Sequence, residues 1–345
     1  MIITNQIKDR LEAWWNHEDQ ESPCFVIKVT DTGSGIPDTD DLNKYWTDES
    51  FIIQREMMVI EKTKYLCEAV PYHYVNLGGV PLGACLGGTL QFIDKETTWN
   101  KPFISHIEEV CGLDVKEDNI WWKLIKNITK ESAGRARNHH YVGYCAFSGL
   151  TDILSAVYGI EPLLLDFIDN PKGVKKALNH LLSIWIRLYW EILNIIKDCG
   201  NEGFVGSWPG IWSSGTSFPL QEDISYMISI DMFKEFCLPY IEALTHVIDY
   251  PYYHLDGIGA VKFVDLLTSI HRLKVIQWIP GAGNEEMGRW HDLIRYIIGK
   301  GKSVHVYARE EEVEPLVKAV GNKGLLISLE FCSMEKALKF IERYR

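Results

Sequence analysis

The chain carries eight cysteines, at positions 24, 67, 85, 111, 145, 199, 237 and 332, but no two are spaced as CxxC. That leaves out the zinc-ribbon and thioredoxin-type motifs. A chain of 345 residues needs no disulfide staples. The cysteines are therefore expected to be reduced, mostly buried thiols in a reducing, cytoplasmic setting. No apolar run approaches the roughly 20 residues of a membrane span. The first ten residues lack a basic stretch followed by an apolar one, so no signal peptide is expected. Positive charge is also in short supply. The net charge of −12 argues against a nucleic-acid partner, which needs a basic face. The glycine-rich stretch from Leu77 to Gly88 lacks GxxxxGKS or GxxxxGKT, and shows no clean GxGxxG after a strand. It reads as a tight turn rather than a phosphate loop. No repeat, low-complexity tract or linker divides the chain, so one domain over 1–345 is expected.

What is present is an alternation. Short apolar runs end in polar or aromatic side chains, with helix-length segments between them. Phe204–Val205 leads into Ser207 and Trp208, and Tyr252–Tyr253 into His254 and Asp256. Val275–Ile276 leads into Gln277 and Trp278, and Ser303–Val304 into His305 and Tyr307. Leu325–Ile327 leads into Glu330 and Cys332. This is the pattern of βα units with a parallel sheet, whose strand ends carry the active site. The fold expected is α/β, a (β/α)8 TIM barrel with N-terminal helical decoration. Helices are expected over 5–20, 49–66 and Pro171–Cys199, and a strand over Phe25–Val29. A strand is expected to end over Tyr144–Gly149, with Thr151 opening the next helix. Residues 31–41 and 209–230 read as long connections.

Several blocks resemble one family. Thr151–Leu178, with Tyr158-Gly159 and the run Leu165 to Pro171, is similar to the middle of the uroporphyrinogen decarboxylase superfamily. So are the run Gln221 to Tyr240, the block Tyr253-His254-Leu255-Asp256-Gly257 and the block Val275 to Gly283. Thr98 to Pro102 adds a weaker match. The resemblance implies a (β/α)8 barrel of one of two branches. One decarboxylates uroporphyrinogen III without a cofactor. The other moves methyl groups to or from a corrinoid on a partner protein, using zinc. The chain is nearest to the second branch, among its trimethylamine-corrinoid-related members. The decarboxylase's arginine-rich RQAGRYLPEYR-like motif is missing, and Thr30-Asp31-Thr32-Gly33 stands in its place. Its FSDI-type aspartate is also missing, where Tyr74-Val75-Asn76-Leu77 stands. A tetrapyrrole with eight carboxylates calls for several arginines, which these strand ends do not offer.

The methyltransferase branch binds zinc through His-x-Cys at one strand end and a cysteine near the C-terminus. Here the first element reads His254-Leu255-Asp256, and the distant cysteine is Cys332, two residues after Glu330. The resemblance thus implies a zinc site of His254, Asp256 and Cys332, with Glu330 as a further candidate. Residues two apart on a strand face the same way, so His254 and Asp256 can act together. The competing reading has the pair hydrogen-bonding substrate without metal, and Cys332 as a core thiol.

Four tryptophans, Trp99, Trp208, Trp212 and Trp278, fall on loops or strand ends. They are candidates for a cage around a quaternary ammonium or a methoxylated aromatic methyl donor. The plainer reading makes two of them core packing. Gln221 and Asp223, just before a helix capped by Ser229, are candidate polar anchors. Gln277 is expected inside the mouth. His305 and Tyr307 share a face and are candidate acid–base groups. His139 and His140 are adjacent, so they point to opposite faces and are not expected to be ligands. The expected function is methyl transfer between a small methylated substrate or thiol and a corrinoid protein, with His254 and Asp256 catalytic. The alternatives are a decarboxylating lyase and a non-catalytic binding protein.

Overall fold

The computed structural model describes residues 2–31 and 35–344. Thr32 and Gly33, in the expected connection after the first strand, lie outside the described residues. The centre is a seven-stranded sheet. Its order is Thr63–Cys67, Cys24–Thr30, Leu325–Glu330, Ser303–Tyr307, Val275–Ile279, Tyr250–Asp256 and Ser217–Leu220. All pairings are parallel except the first, where Thr63–Cys67 runs antiparallel along Cys24–Thr30. Three two-stranded pairs lie outside this sheet. Tyr72–Tyr74 runs parallel with Tyr141–Gly143, while Thr89–Phe92 with Thr98–Lys101 and Phe204–Val205 with Trp212–Ser213 are antiparallel.

Several expectations shift. The helix expected over 49–66 stops at Lys62, and Thr63 turns extended at φ −95°, ψ 131°. Thr63–Cys67 then finds ladder partners on Cys24–Thr30, which a helix would have left open. The connection over 209–230 contains the Ser217–Leu220 strand, paired with Tyr250–Tyr253. The strand expected to end over Tyr144–Gly149 is Tyr141–Gly143, and the next helix starts at Leu150. The long helix runs from Pro171 to Lys197. Asn170 caps it by accepting from the Gly173 amide at 3.1 Å, and Pro171 fills the first turn, where no N–H is missed. Val174, Leu178, Leu181, Trp185, Leu188 and Ile192 form its buried stripe. The glycine-rich stretch is a tight turn. Gly78 sits at φ +90°, and a Cβ there would fall on the Thr98 hydroxyl.

The strands sort their side chains by parity. Phe25, Ile27, Tyr253, Leu255, Ile276, Trp278, Val304, Val306 and Ile327 join the large outer core against the helices. Val26, Tyr252, Val275 and Leu326 face the other way, into a second cluster with Trp14 and Trp15 of the first helix. That second face changes character along the strands. It is apolar at their N-terminal ends, then polar at Ser328, Gln277, His254 and His305. At the C-terminal ends it reaches Lys28, Asp256, Tyr307 and Glu330. A sheet built this way leaves its chemistry at one edge.

Candidate active site at the strand C-terminal ends

His254 follows Tyr252 by two, so it lies on the inner face, in register with Gln277 on the next strand. Gln277 is in register with His305. The three form a relay. The His254 Nδ1 lies 2.6 Å from the Gln277 Oε1, and the Gln277 Nε2 lies 3.0 Å from the His305 Nδ1. An amide oxygen only accepts, so His254 carries its proton on Nδ1 and leaves Nε2 with a free lone pair. An amide nitrogen only donates, so the His305 Nδ1 accepts, and it also receives the Tyr252 hydroxyl at 2.5 Å. The His305 Nε2–H then donates to the Ser328 Oγ at 2.8 Å. Both tautomers follow from this orientation of the Gln277 amide. Burial pushes the His305 pKa down to about 3, helped by Lys28 and His254, so this ring is neutral. Burial also lowers His254, against the opposing pull of Gln277, Asp256 and Asp152.

The remaining groups close a ring around this relay. The Trp208 indole meets His254 edge-on, ring centres 5.5 Å apart at 87°. The Trp208 carbonyl accepts the Tyr72 hydroxyl at 2.8 Å. The Tyr72 hydroxyl in turn accepts from the Lys28 ammonium at 3.3 Å, and Lys28 lies 4.7 Å from the centre of the same ring. Tyr307 packs on His305 at 5.0 Å and feels both Lys28 and Glu330. Burial, with Tyr72 next, raises its phenol to about 12. Lys28 and Glu330 are register partners on neighbouring strands. Outside Tyr307 and Ser328 the surface opens into a hollow of about 560 Å³, bordered by Glu330, Cys332, Arg309 and Lys336.

A second group of carboxylates lies behind His254. Asp152 accepts from the amides of Gly149, Asp223 and Ile224 at 3.2, 3.0 and 2.9 Å. Glu222 accepts from the amides of Leu150 and Thr151 at 3.1 and 3.0 Å and from the Thr151 hydroxyl. The two therefore cap each other's segments: Glu222 sits at the start of the Leu150–Tyr158 helix, and Asp152 at the start of the turn Asp223–Met227. Both are buried, and burial raises both pKa values, Glu222 further because Asp152 is beside it. Asp223 is also raised, by burial of its carboxyl and then by Asp152 and Asp256. Gln221 donates to Asp223 at 2.9 Å, and Ser229 caps its helix by accepting from Met232.

The structure thus brings together Trp208, His254, Asp256, Gln277, His305, Tyr307 and Glu330, with Gln221 and Asp223 adjoining. It places the other candidates elsewhere. Trp212 is buried with Trp15, whose indole donates to the Trp212 carbonyl at 2.8 Å, at the opposite ends of the strands. Trp278 is fully buried on the helix-facing side, edge-on to Trp290 at 4.9 Å. Trp99 stays exposed on the outlying hairpin Thr89–Lys101. Cys332 is an exposed thiol on the rim of the hollow rather than a core residue. His139 and His140 lie outside a strand and meet Nδ1 to Nδ1 at 2.9 Å rather than facing apart, and His140 also bonds Ser132 at 3.0 Å. Among the described residues, no group of three or more His, Cys, Asp or Glu is placed to hold a metal ion. The set His254, Asp256 and Cys332 is therefore not assembled, and the residues present do not fit a zinc centre. Lys28, Tyr72, Asp152 and Glu222 were not picked out from the sequence. A lysine inside the strand Cys-Phe-Val-Ile-Lys-Val-Thr, two residues after Val26, was the available signal for the first.

No family model matches the chain, and no curated protein does. Among solved structures it is similar to a methyltransferase from Methanosarcina mazei, with a TM-score of 0.66 and 13% sequence identity. The match covers 98% of this chain and 99% of that one. The two share a fold over nearly their whole lengths.

Proposed function

We propose that the chain is a methyltransferase built as a single (β/α)8 barrel, exchanging a methyl group between a small substrate and a corrinoid on a partner protein. The observation that carries this reading is the ring of Lys28, Tyr72, Trp208, His254, Gln277 and Tyr307, with one lone pair, the His254 Nε2, left free by its neighbours. The shared fold with a methyltransferase supports it. So does the exposure of Asp256, Tyr307 and Glu330, which leaves the mouth reachable by a docked partner.

A corrinoid presented there supplies the cobalt that takes up or gives the methyl group. The chain's own residues bind and orient. Trp208, Tyr72 and Tyr307 offer aromatic faces to a methylated cation. A quaternary ammonium leaves as a neutral amine, with the C–N bonding pair kept on nitrogen, and asks no proton of the enzyme. With a thiol as the methyl acceptor, the His254 Nε2 takes the thiol proton, and Asp256 favours the resulting imidazolium. The mechanism uses His254 and Asp256 without metal, because the third ligand is not gathered with them.

The test is methyl transfer to reduced cobalamin from a panel of methylated amines, methoxylated aromatics, methanol and methyl thioethers. The expected result is transfer from at least one donor, and transfer from methylcobalamin to a thiol that falls by roughly 10²–10⁴-fold in His254→Ala. No transfer from any donor, in protein of normal stability, refutes the proposal. Release of carbon dioxide from a porphyrinogen would instead establish the lyase reading.

A further inference from the structure

We infer that Tyr252 sets the polarity of the buried relay, and through it keeps a lone pair free on the His254 Nε2. This role rests on the proposed methyl transfer and adds a positioning residue to it. Gln277 cannot set the polarity alone. Its amide stands between two ring nitrogens, the His254 Nδ1 at 2.6 Å and the His305 Nδ1 at 3.0 Å. Each of these nitrogens can donate or accept. Turning the amide over, with the proton of each ring moved to its other nitrogen, reverses every bond and breaks none. His254 would then accept on Nδ1, carry its proton on Nε2 and lose the lone pair that the reaction uses. In either polarity one ring is protonated on Nδ1 and the other on Nε2. The intrinsic preference of imidazole therefore cancels, and the surroundings decide.

Three hydroxyl side chains surround His305. The Ser328 Oγ lies 2.8 Å from Nε2, and Tyr307 packs on the ring with centres 5.0 Å apart. Both line the hollow of about 560 Å³, where water can serve their hydroxyls whichever way they turn. Tyr252 has no such outlet. It is buried, and its hydroxyl has one hydrogen-bond partner among the described residues, the His305 Nδ1 at 2.5 Å. Trp15, Val26, Val275 and Leu326, of the same inner cluster, carry no side-chain acceptor. A proton on the His305 Nδ1 would leave the Tyr252 O–H buried with nothing to donate to, which is the costly case. Tyr252 therefore keeps that nitrogen an acceptor. The Gln277 Nε2 must then face His305, its Oε1 must face His254, and His254 takes its proton on Nδ1.

The experiment reads both tautomers directly. The full chain is prepared with nitrogen-15 histidine, and protonated and unprotonated ring nitrogens are told apart by their shifts at neutral pH. His254→Gln and His305→Gln assign the signals. Wild type should show His254 protonated on Nδ1 and His305 on Nε2. Tyr252→Phe, which keeps the ring and removes the hydroxyl, should bring in the opposite tautomer of both histidines. Ser328→Ala should keep the wild-type tautomers, because a hydroxyl that can turn either way imposes neither. Transfer from methylcobalamin to a thiol should fall in Tyr252→Phe in proportion to the His254 that has lost its Nε2 lone pair. A wild-type His254 protonated on Nε2 overturns this role whatever the variants do. So does a folded Tyr252→Phe whose His254 stays wholly protonated on Nδ1, or Ser328→Ala mixing the tautomers to the same extent. The tautomers are read without turnover, so absence of methyl transfer would sink the proposed reaction and leave the polarity standing.

Discussion

The polar side chains at the mouth differ from ordinary core polar groups in what they leave unused. His305 spends both ring nitrogens on Tyr252, Gln277 and Ser328, while His254 spends one and keeps one. Three histidines, His73, His140 and His305, have pKa values pushed down to about 3 by burial. Each stays neutral in the fold, whereas its unfolded counterpart protonates near 6.5. The stability they contribute is therefore complete above pH 6.5 and is lost as pH falls toward 3. The raised carboxyls of Asp152 and Glu222 act in the opposite sense, so a single-residue difference isolates the effect. The stability gap between wild type and His305→Gln should shrink by about 1.4 kcal/mol per pH unit below 6.5. Denaturant unfolding between pH 7 and 4.5 measures it. A gap that stays constant with pH would mean that the ring is already protonated in the fold.

At the scale of elements, the site depends on strand parity and on one pair of reciprocal caps. Gly149 lies where the Leu150–Tyr158 helix meets the turn after Leu220. A Cβ there would come within 2.1 Å of the Gln221 carbonyl and 2.4 Å of the Glu222 carboxylate. Gly149→Ala should therefore cost about 1–3 kcal/mol by forcing the caps apart, read as a lower unfolding midpoint in denaturant. An unchanged midpoint would show that the caps yield without cost. Parity also explains what the sequence did and did not make legible. The runs ending in His254, Gln277, His305 and Glu330 were visible as strands, and parity puts these four side chains on one face of the sheet. Trp278 follows Gln277 directly, so both could not line one cavity, and the strand turns the tryptophan outward. Trp212 was harder, because a two-residue strand has no period to read. Thr63–Cys67 was masked by the helix before it. The caps of Asp152 and Glu222 join residues 72 and 71 apart, a pairing that no local pattern encodes.

Over the whole molecule, the sheet gathers its polar inner residues at one edge, and Tyr72 and Trp208, from outside that sheet, complete the ring. Acidic composition was legible in the sequence, but its use was not. At this edge Lys28 stands in register with Glu330, and Arg309 and Lys336 border the hollow outside. No helix among the described residues is long and apolar enough to cross a membrane. In the proposed reaction Gln277 is a positioning residue that acts on methyl transfer only through the tautomer it imposes on His254. Single-turnover methyl transfer from methylcobalamin to a thiol, in His254→Ala, Gln277→Leu and the double variant, tests this directly. Gln277→Leu alone should slow transfer by roughly tenfold. Added to His254→Ala, it should change nothing further. Rate losses that multiply in the double variant would contradict the relay.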